Sequence, residues 1–388
     1  MSFLRRAILH VDCNCFFVSC ERMRDASLQD KPVIVGGGSD KWNKRGVVTS
    51  ASYEVRDKGV YADMSLHRAK KLCPEAIVLT ADFALYTECS EKLLKVLRQF
   101  SDKVEPASID EAYIDLTGQD MIWGESYLSL LAQIEKSIRE IVGIPVSLGL
   151  ADNKVTAKIA AGSRKPGITV VPSSITREFL GRFSIADFPG LGNSAVKELH
   201  DLGINKIADL QWWTYQEICT FFGTYGQHLY LAINGYDDRE VMEKEQKPLS
   251  VSREHTFAYD HDFSSSQVMT SLRLLTAHVL WRMRRLELHA KEVRVKVRLA
   301  NFSTYTKTLV LPEFSASDLE IMPVIRHLFW QLRKQCKNEK VRLIGVSAAR
   351  LDEVEMHSLF TSSRAQKVQT VLDELAGRYK KPTVLIGV

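Results

Sequence analysis

The sequence has no run of 18 or more apolar residues among its 388, so no helical membrane span is expected. Its start, Met1-Ser2-Phe3-Leu4-Arg5-Arg6, lacks the long apolar segment and small-residue cleavage site of a secretory signal. Paired cysteines are also missing. The seven present are odd in number and irregularly spaced, which predicts reduced thiols in a cytoplasmic protein. Cys13, Cys15 and Cys20 lie close together, but the spacing fits no common zinc pattern and no matching Cys or His group follows. Buried structural thiols are expected there. Net charge is low at +5, while hydrophobic content, 45%, is enough for ordinary cores. The length suggests two to four domains at ~100–200 residues each.

The small net charge hides an uneven distribution. Between Trp281 and Arg298 stand Arg282, Arg284, Arg285, Lys291, Arg294, Lys296 and Arg298 against only Glu287 and Glu292. That segment alone carries an excess equal to the whole chain's. A local basic stripe is the footprint expected for a polyanion partner. Within it Val293, Val295 and Val297 alternate with Arg294, Lys296 and Arg298, so a strand there would show a row of cations on one face. Such a row can be a solubilising surface or a phosphate-binding one. Lys291 and Lys307 nearby favour phosphate.

Asp110 and Glu111 interrupt an apolar, strand-like run from Pro106 to Leu116. Charges set in such a run must be paired or hold a cation. Two readings are open: a solvated turn or helix N-terminus, or a metal site. A second interrupted run, Ala7 to Phe17, contains Asp12. If the two strands are neighbours, three carboxylates converge on one edge. Oxygen ligands of that kind suit Mg²⁺, and two such ions can clamp the attacking and leaving oxygens of a phosphoryl transfer.

The first part of the chain reads as α+β. Strands are expected at 7–12, around 104–117 and at 146–150, with helices over 89–100, along Leu131, Ile134, Ile138 and Ile141, and through Val155, Ile159 and Ala160. Residues 36–46 form a Gly-rich basic stretch expected to be a surface loop. Behind it, Tyr53 and Arg56 share a face on one helical turn. Residues 168–240 read as a helical unit centred on Phe188-Pro189-Gly190-Leu191-Gly192. This is a helix–hairpin–helix pattern whose turn amides suit a phosphate, or else a plain αα-hairpin. The charged stretch ending at Pro248 reads as a linker. Strand, helix, strand, strand, helix and strand follow, the first helix burying Val268, Leu272, Leu275, Val279 and Met283. A last helix is expected over 364–379, with Val368, Val371, Leu372 and Leu375 on its face.

Several of these segments, in order, resemble motifs of the Y-family DNA polymerases, the low-fidelity translesion enzymes that include bacterial polymerases IV and V. Val11 to Glu21 resembles the first catalytic motif, and Ser108 to Tyr113 the second. Ser52 to Arg56 resembles the motif that grips the triphosphate, and Ala151 to Ala160 with Lys165-Pro166-Gly167 the last palm motif. The resemblance implies an α+β, multidomain right hand: ferredoxin-like palm (1–12 and 76–167), fingers (13–75), helical thumb (168–240), linker (241–248), βαββαβ little finger (249–352) and a tail (353–388). It implies a template-directed DNA polymerase active in DNA damage and the SOS response. Asp12, Asp110, Glu111 and the Cys13 carbonyl would bind two Mg²⁺. Phe16, Phe17, Ser50, Tyr53, Arg56 and Lys165 would contact the nucleotide, with Tyr53, Arg56 and Lys165 on the phosphates and Phe17 as steric gate against a 2′-OH. Gly190, Gly192, Lys291, Arg294, Lys296 and Arg298 would contact DNA. Asn14 replaces an Asp common among relatives, but is no metal ligand in the family pattern.

Glu355 to Phe360 resembles the peptide that docks on the bacterial sliding clamp (beta), through Met356, Ser358, Leu359 and Phe360, although Met356 replaces the usual Gln. Expected partners are therefore primer-template DNA, a dNTP and the clamp, for a monomeric protein. The competing readings are a catalytically inactive DNA-binding scaffold of a translesion complex, a nucleotidyl cyclase and a non-enzymatic DNA-binding protein. An inactive relative should lack the acidic triad, and a cyclase would not need the helix–hairpin–helix or the basic layer. A plain DNA binder leaves Asp110-Glu111, Tyr53, Arg56 and Lys165 unexplained.

Overall fold

The computed structural model describes residues 4–37, 45–123, 126–243, 247–336, 339–353, 371 and 373–379. The chain divides into two units, Met1–Glu245 and Gln246–Val388.

The first unit opens with β1 (Ile8–Cys13), α1 (Phe16–Arg24), β2 (Val33–Gly36), β3 (Val48–Ala51), α2 (Tyr53–Arg56), α3 (Leu66–Leu72) and β4 (Ile77–Leu79). It continues with α4 (Phe83–Leu97), β5 (Val104–Pro106), β6 (Glu111–Asp115), α5 (Gln119–Trp123), α6 (Tyr127–Ile141), β7 (Val146–Ala151), α7 (Lys154–Ser163) and β8 (Gly167–Val170). Five short helices close it: α8 (Thr176–Gly181), α9 (Asn193–Asp201), α10 (Ile207–Leu210), α11 (Tyr215–Phe222) and α12 (Thr224–Ile233).

The main sheet has the order β5-β6-β1-β7-β8, antiparallel except between β7 and β8. Alternation along β1 decides what lies where. Leu9, Val11 and Cys13 enter one core with Leu93 and Val96 of α4 and Leu131, Ile134 and Ile138 of α6. Ile8 packs on the opposite face with Ala157 and Ala160 of α7. His10 and Asp12 therefore share the α7 face. The same alternation on β6 puts Ala112 and Ile114 in the α4–α6 core, leaving Glu111 and Tyr113 opposite. Gly149 lets α7 lie directly on β7: a Cβ there would stand 2.1 Å from the Ala157 carbonyl oxygen.

Several expectations need correction here. Ile141 is 54% exposed: the chain turns at Gly143 (φ 78°), and Val142 and Ile144 take its place in the core. A second sheet, β3-β2-β4, pairs Ile77–Leu79 with Val33–Gly36, so it crosses the boundary expected at 75. Pairing of β8 with β7 carries the main sheet across the boundary expected at 167, to Val170. In the helical region a 3₁₀ turn, Ile185–Asp187, immediately precedes Pro189 and α9 follows Gly192, so the expected helix–hairpin–helix has a 3₁₀ turn in place of its first helix. Val241 is buried and the Met242 N–H donates to Glu105, so the start of the expected linker is packed rather than free.

The second unit follows the expected order: β9 (Ser250–His261), α13 (Ser266–Arg285), β10 (His289–Leu299), β11 (Thr304–Ser315), α14 (Asp318–Gln335) and β12 (Val341–Asp352). Its antiparallel sheet runs β11-β10-β12-β9. Val268, Leu272, Leu275, Val279 and Met283 of α13 are buried with Val293, Val295 and Val297 of β10. Arg284 leaves the basic stripe: its Nε and Nη2 grip Asp373 at 2.7 Å each, and Nη1 donates to the Ala316 carbonyl. In the last helix Val371 is exposed and Ala376 buried, while Val368 and Leu372 lie outside the described residues.

Candidate active site

Asp12 and Glu111 are direct register partners across β1 and β6. Both lie on the α7 face at the same end of the sheet. Asp110 immediately precedes β6, and its carbonyl accepts from the Cys13 N–H at 3.0 Å. The Ser108 hydroxyl donates to Asp110 Oδ1 at 2.5 Å. The fold thus brings the three sequence-selected carboxylates to one edge.

Each is held by a different group. Lys165 Nζ donates to Asp12 Oδ2 at 2.6 Å, and Lys158 Nζ to Glu111 Oε2 at 2.5 Å. The buried His10 ring places Nε2 3.8 Å from Glu111 Oε2 and packs on Tyr113 at 4.7 Å between centroids. His10, then Lys158, outweigh burial and hold the Glu111 carboxyl down at about 2. Among the described residues no three Asp, Glu, His or Cys side chains stand close enough to share one metal ion. The donors nevertheless fit one: hard oxygens, half-buried, with two ammonium groups now meeting their demand for positive charge. The Cys13 thiol is no donor. Burial first, then Asp110 and Asp12, push it far up, so it stays protonated.

A cleft of about 190 Å³ opens beside Asp12 and Asp110, lined by Phe17, Ser50, Tyr53, Arg56 and Lys165 among others. Arg56 stacks over the Tyr53 ring at 5.4 Å while its Nε donates to the Ala51 carbonyl. The shared helical face expected of these two residues is therefore what points both at the cleft. Burial, then Cys15, raise the Tyr53 hydroxyl to about 12. Cys15 is half-buried and lines this cleft, whereas Cys13 and Cys20 are buried as expected. Phe17 also lines the cleft and stacks on Tyr86 at 4.3 Å. Phe16 touches the cleft but is 3% exposed, so it is mainly core.

Gly190 and Gly192 of the first unit do not line this cleft. Gly190 has φ 95°, and a Cβ there would strike the Tyr225 hydroxyl at 2.4 Å; Gly192 caps α9. In the second unit the expected row of cations is partly neutralised. Arg294 pairs with the buried Glu292, Lys296 with Glu254 at 2.8 Å, and Arg298 donates to Thr304. Lys291 donates to the Pro312 carbonyl. Met356, Ser358, Leu359 and Phe360 lie outside the described residues. Sequence reading missed Lys158 and His10 as neighbours of Glu111. Lys158 lies in the motif from Ala151 to Ala160, and His10 in the apolar run that contains Asp12.

Carboxylates at adjoining strand ends, lysines facing them and a cleft lined by Arg, Lys and Tyr are side chains of the kind that nucleotidyl transfer uses. The impB/mucB/samB family model matches residues 11–162, and its C-terminal domain matches 248–359. DNA polymerase IV of Staphylococcus aureus (strain JH9) is 36% identical over 350 residues, covering 90% of this chain and 96% of the relative; that of strain Newman matches equally. Among solved structures, a Y-family DNA polymerase chimera, Dbh-Dpo4(243-245)-Dbh, superposes with TM-score 0.78 at 25% identity, covering 89% of this chain and 98% of the other. A post-insertion binary complex of Dbh DNA polymerase gives 0.60 at 26%, covering 89% and 98%. The chain belongs to this family of Y-family DNA polymerases. It is a DNA-directed DNA polymerase of the translesion type with palm, fingers, thumb and little finger, and the inactive-scaffold reading has no support.

Proposed function

We propose that Asp12, Asp110 and Glu111 are the catalytic acids and that primer-template DNA and a dNTP are the substrates. The observation that carries this is the Asp12–Glu111 register pair on one sheet face, beside Asp110 and the cleft. The carboxylates and the Cys13 carbonyl would hold two Mg²⁺, which supply positive charge to the reacting phosphate when bound. Lys165 leaves Asp12 to join Tyr53 and Arg56 on the triphosphate, where Arg offers a fixed fork and Lys a point charge. Phe17, braced by Tyr86, lies under the sugar and excludes a 2′-OH. A neighbour captured as an insertion ternary complex supports the substrate pair. Primer extension with dNTPs, with and without Mg²⁺, tests the reading: extension that persists without any divalent ion overturns the metal role.

The second unit supplies DNA affinity through β10. Replacing Arg294, Lys296 and Arg298 by Ala is expected to weaken DNA binding and flatten its salt dependence. Each lost phosphate contact lowers the log–log slope by roughly 0.9 on duplex DNA. The carboxylates of Glu292 and Glu254 must release their partners first, so the triple change tests whether they do. A slope equal to wild type means that this strand faces away from DNA.

The protein works as a cytoplasmic monomer at DNA damage, recruited by the sliding clamp through Leu359 and Phe360. Leu359→Ala with Phe360→Ala is expected to leave basal extension intact and abolish stimulation by the clamp. Burying two such side chains in a groove is worth ~1.5–3 kcal/mol each. Wild-type affinity in a clamp-binding titration of the double variant would place clamp contact elsewhere.

A further inference from the structure

Helix α7 carries Lys158, the partner of Glu111, yet its first turn is held from a distant part of the chain. The Val155 N–H donates to Asp237 Oδ2 at 3.3 Å. Asn153 accepts from the Thr156 N–H at 2.9 Å, while its Nδ2 donates to the Gly235 carbonyl at 3.0 Å. The Asp237 side chain has no exposed surface and receives Arg239 through both oxygens, at 2.7 and 2.8 Å. Further on, the Met242 N–H donates to Glu105 Oε2 at 2.6 Å, the oxygen that also receives Lys154 Nζ at 2.6 Å. Val241 between them is buried with Ala157 and Ala160 of α7. Residues 235–242 thus brace the N-terminal turn of α7 along one side.

A buried carboxylate is costly unless paired and hydrogen-bonded. Asp237 meets both conditions, and its charge suits a helix N-terminus. The other side of α7 is fixed against β7 by the close approach at Gly149. Between these two supports lies the turn that carries Lys158 to Glu111. We propose that Asp237 is a positioning residue for nucleotide transfer: through Val155 it sets the orientation of α7, and so the place of Lys158 on Glu111. The inference rests on the reading of Glu111 as a catalytic acid.

The test is steady-state primer extension by full-length Asp237→Asn, Lys158→Gln and their combination. Displacements of about an ångström can cost up to about a hundredfold in rate. Asp237→Asn is therefore expected to lower kcat about tenfold or more, with dNTP KM and DNA Kd within about twofold of wild type. The combined variant should be no slower than Lys158→Gln alone, because both changes act on one contact. Melting curves establish that each variant is folded at the assay temperature. Should Asp237→Asn fail to fold, Arg239→Gln keeps the carboxylate on Val155 and removes only its partner, so kcat within about twofold of wild type is expected and a tenfold fall overturns the assignment to Asp237. Unchanged kcat in folded Asp237→Asn, or effects that multiply in the combined variant, would overturn the proposal. Failure of the catalytic reading is separate: it shows as full turnover by Asp110→Asn in the wild-type background.

Discussion

Asp110→Asn is expected to abolish nucleotide incorporation while primer-template binding survives. The substitution keeps side-chain size, and the amide oxygen can still accept from the Ser108 hydroxyl, which stands 2.5 Å from Asp110 Oδ1. Neither the Cys13 N–H bond to the residue 110 carbonyl nor the β1–β6 register involves this side chain. What is lost is one negative charge beside Asp12 and Glu111. Metal-held charge is worth several kcal/mol in a transition state, and ~1.4 kcal/mol is a factor of ten in rate. A fall in kcat of about a thousandfold or more follows. DNA affinity comes mainly from phosphate contacts, so Kd should stay near wild type. Glu111→Gln should be equally inactive but less clean, because it also strips Lys158 of its carboxylate partner. Primer extension and a binding titration on the same preparations decide the matter. Wild-type turnover by Asp110→Asn would sink the assignment of the three acids.

That site was legible in the sequence because it is local in two places. Asp12 and the Asp110-Glu111 pair each stand at the end of an apolar run, and period-two alternation with antiparallel pairing brings them together. The order of elements in the second unit was legible for a similar reason. The valines of β10 and the apolar stripe of α13 each carry their own period. What could not be read depends on which surfaces meet. Lys158 sits in an alanine-rich helix whose sequence does not show that its neighbour is the β1–β6 face. Asp237 stands among Asp238, Arg239 and Glu240, and nothing in that composition marks it as the buried cap of a distant helix. Nor does the sequence show which short strands pair with distant ones across the expected boundaries: Ile77–Leu79 with β2, and Gly167–Val170 with β7. Arg284 counts in the basic stripe by composition, yet it grips Asp373, 89 residues on.

Phe17→Ala is expected to raise the use of ribonucleotides relative to deoxynucleotides by about 10- to 100-fold. The ring lines the cleft beside Asp12 and is not free to move away. It stacks on Tyr86 at 4.3 Å with a 23° interplanar angle, meets Phe83 edge-on at 5.8 Å, and Phe16 lies behind it at 5.6 Å. Tyr86 itself is fully buried, its hydroxyl donating to Glu21 at 2.7 Å. A rigid ring can exclude a sugar hydroxyl by overlap, and forcing extra atoms into a packed site costs about 1–3 kcal/mol. That range corresponds to roughly 5- to 150-fold in rate. Truncation to Ala removes the obstacle but also leaves a void against Tyr86, so total activity and stability should both fall. The informative quantity is therefore the ratio of kcat/KM for an rNTP to that for its dNTP, which cancels any loss of folded enzyme. Phe17→Tyr serves as the control: it keeps the ring, so its ratio should stay near wild type. A ratio in Phe17→Ala indistinguishable from wild type would make Phe17 a core residue that only happens to border the cleft.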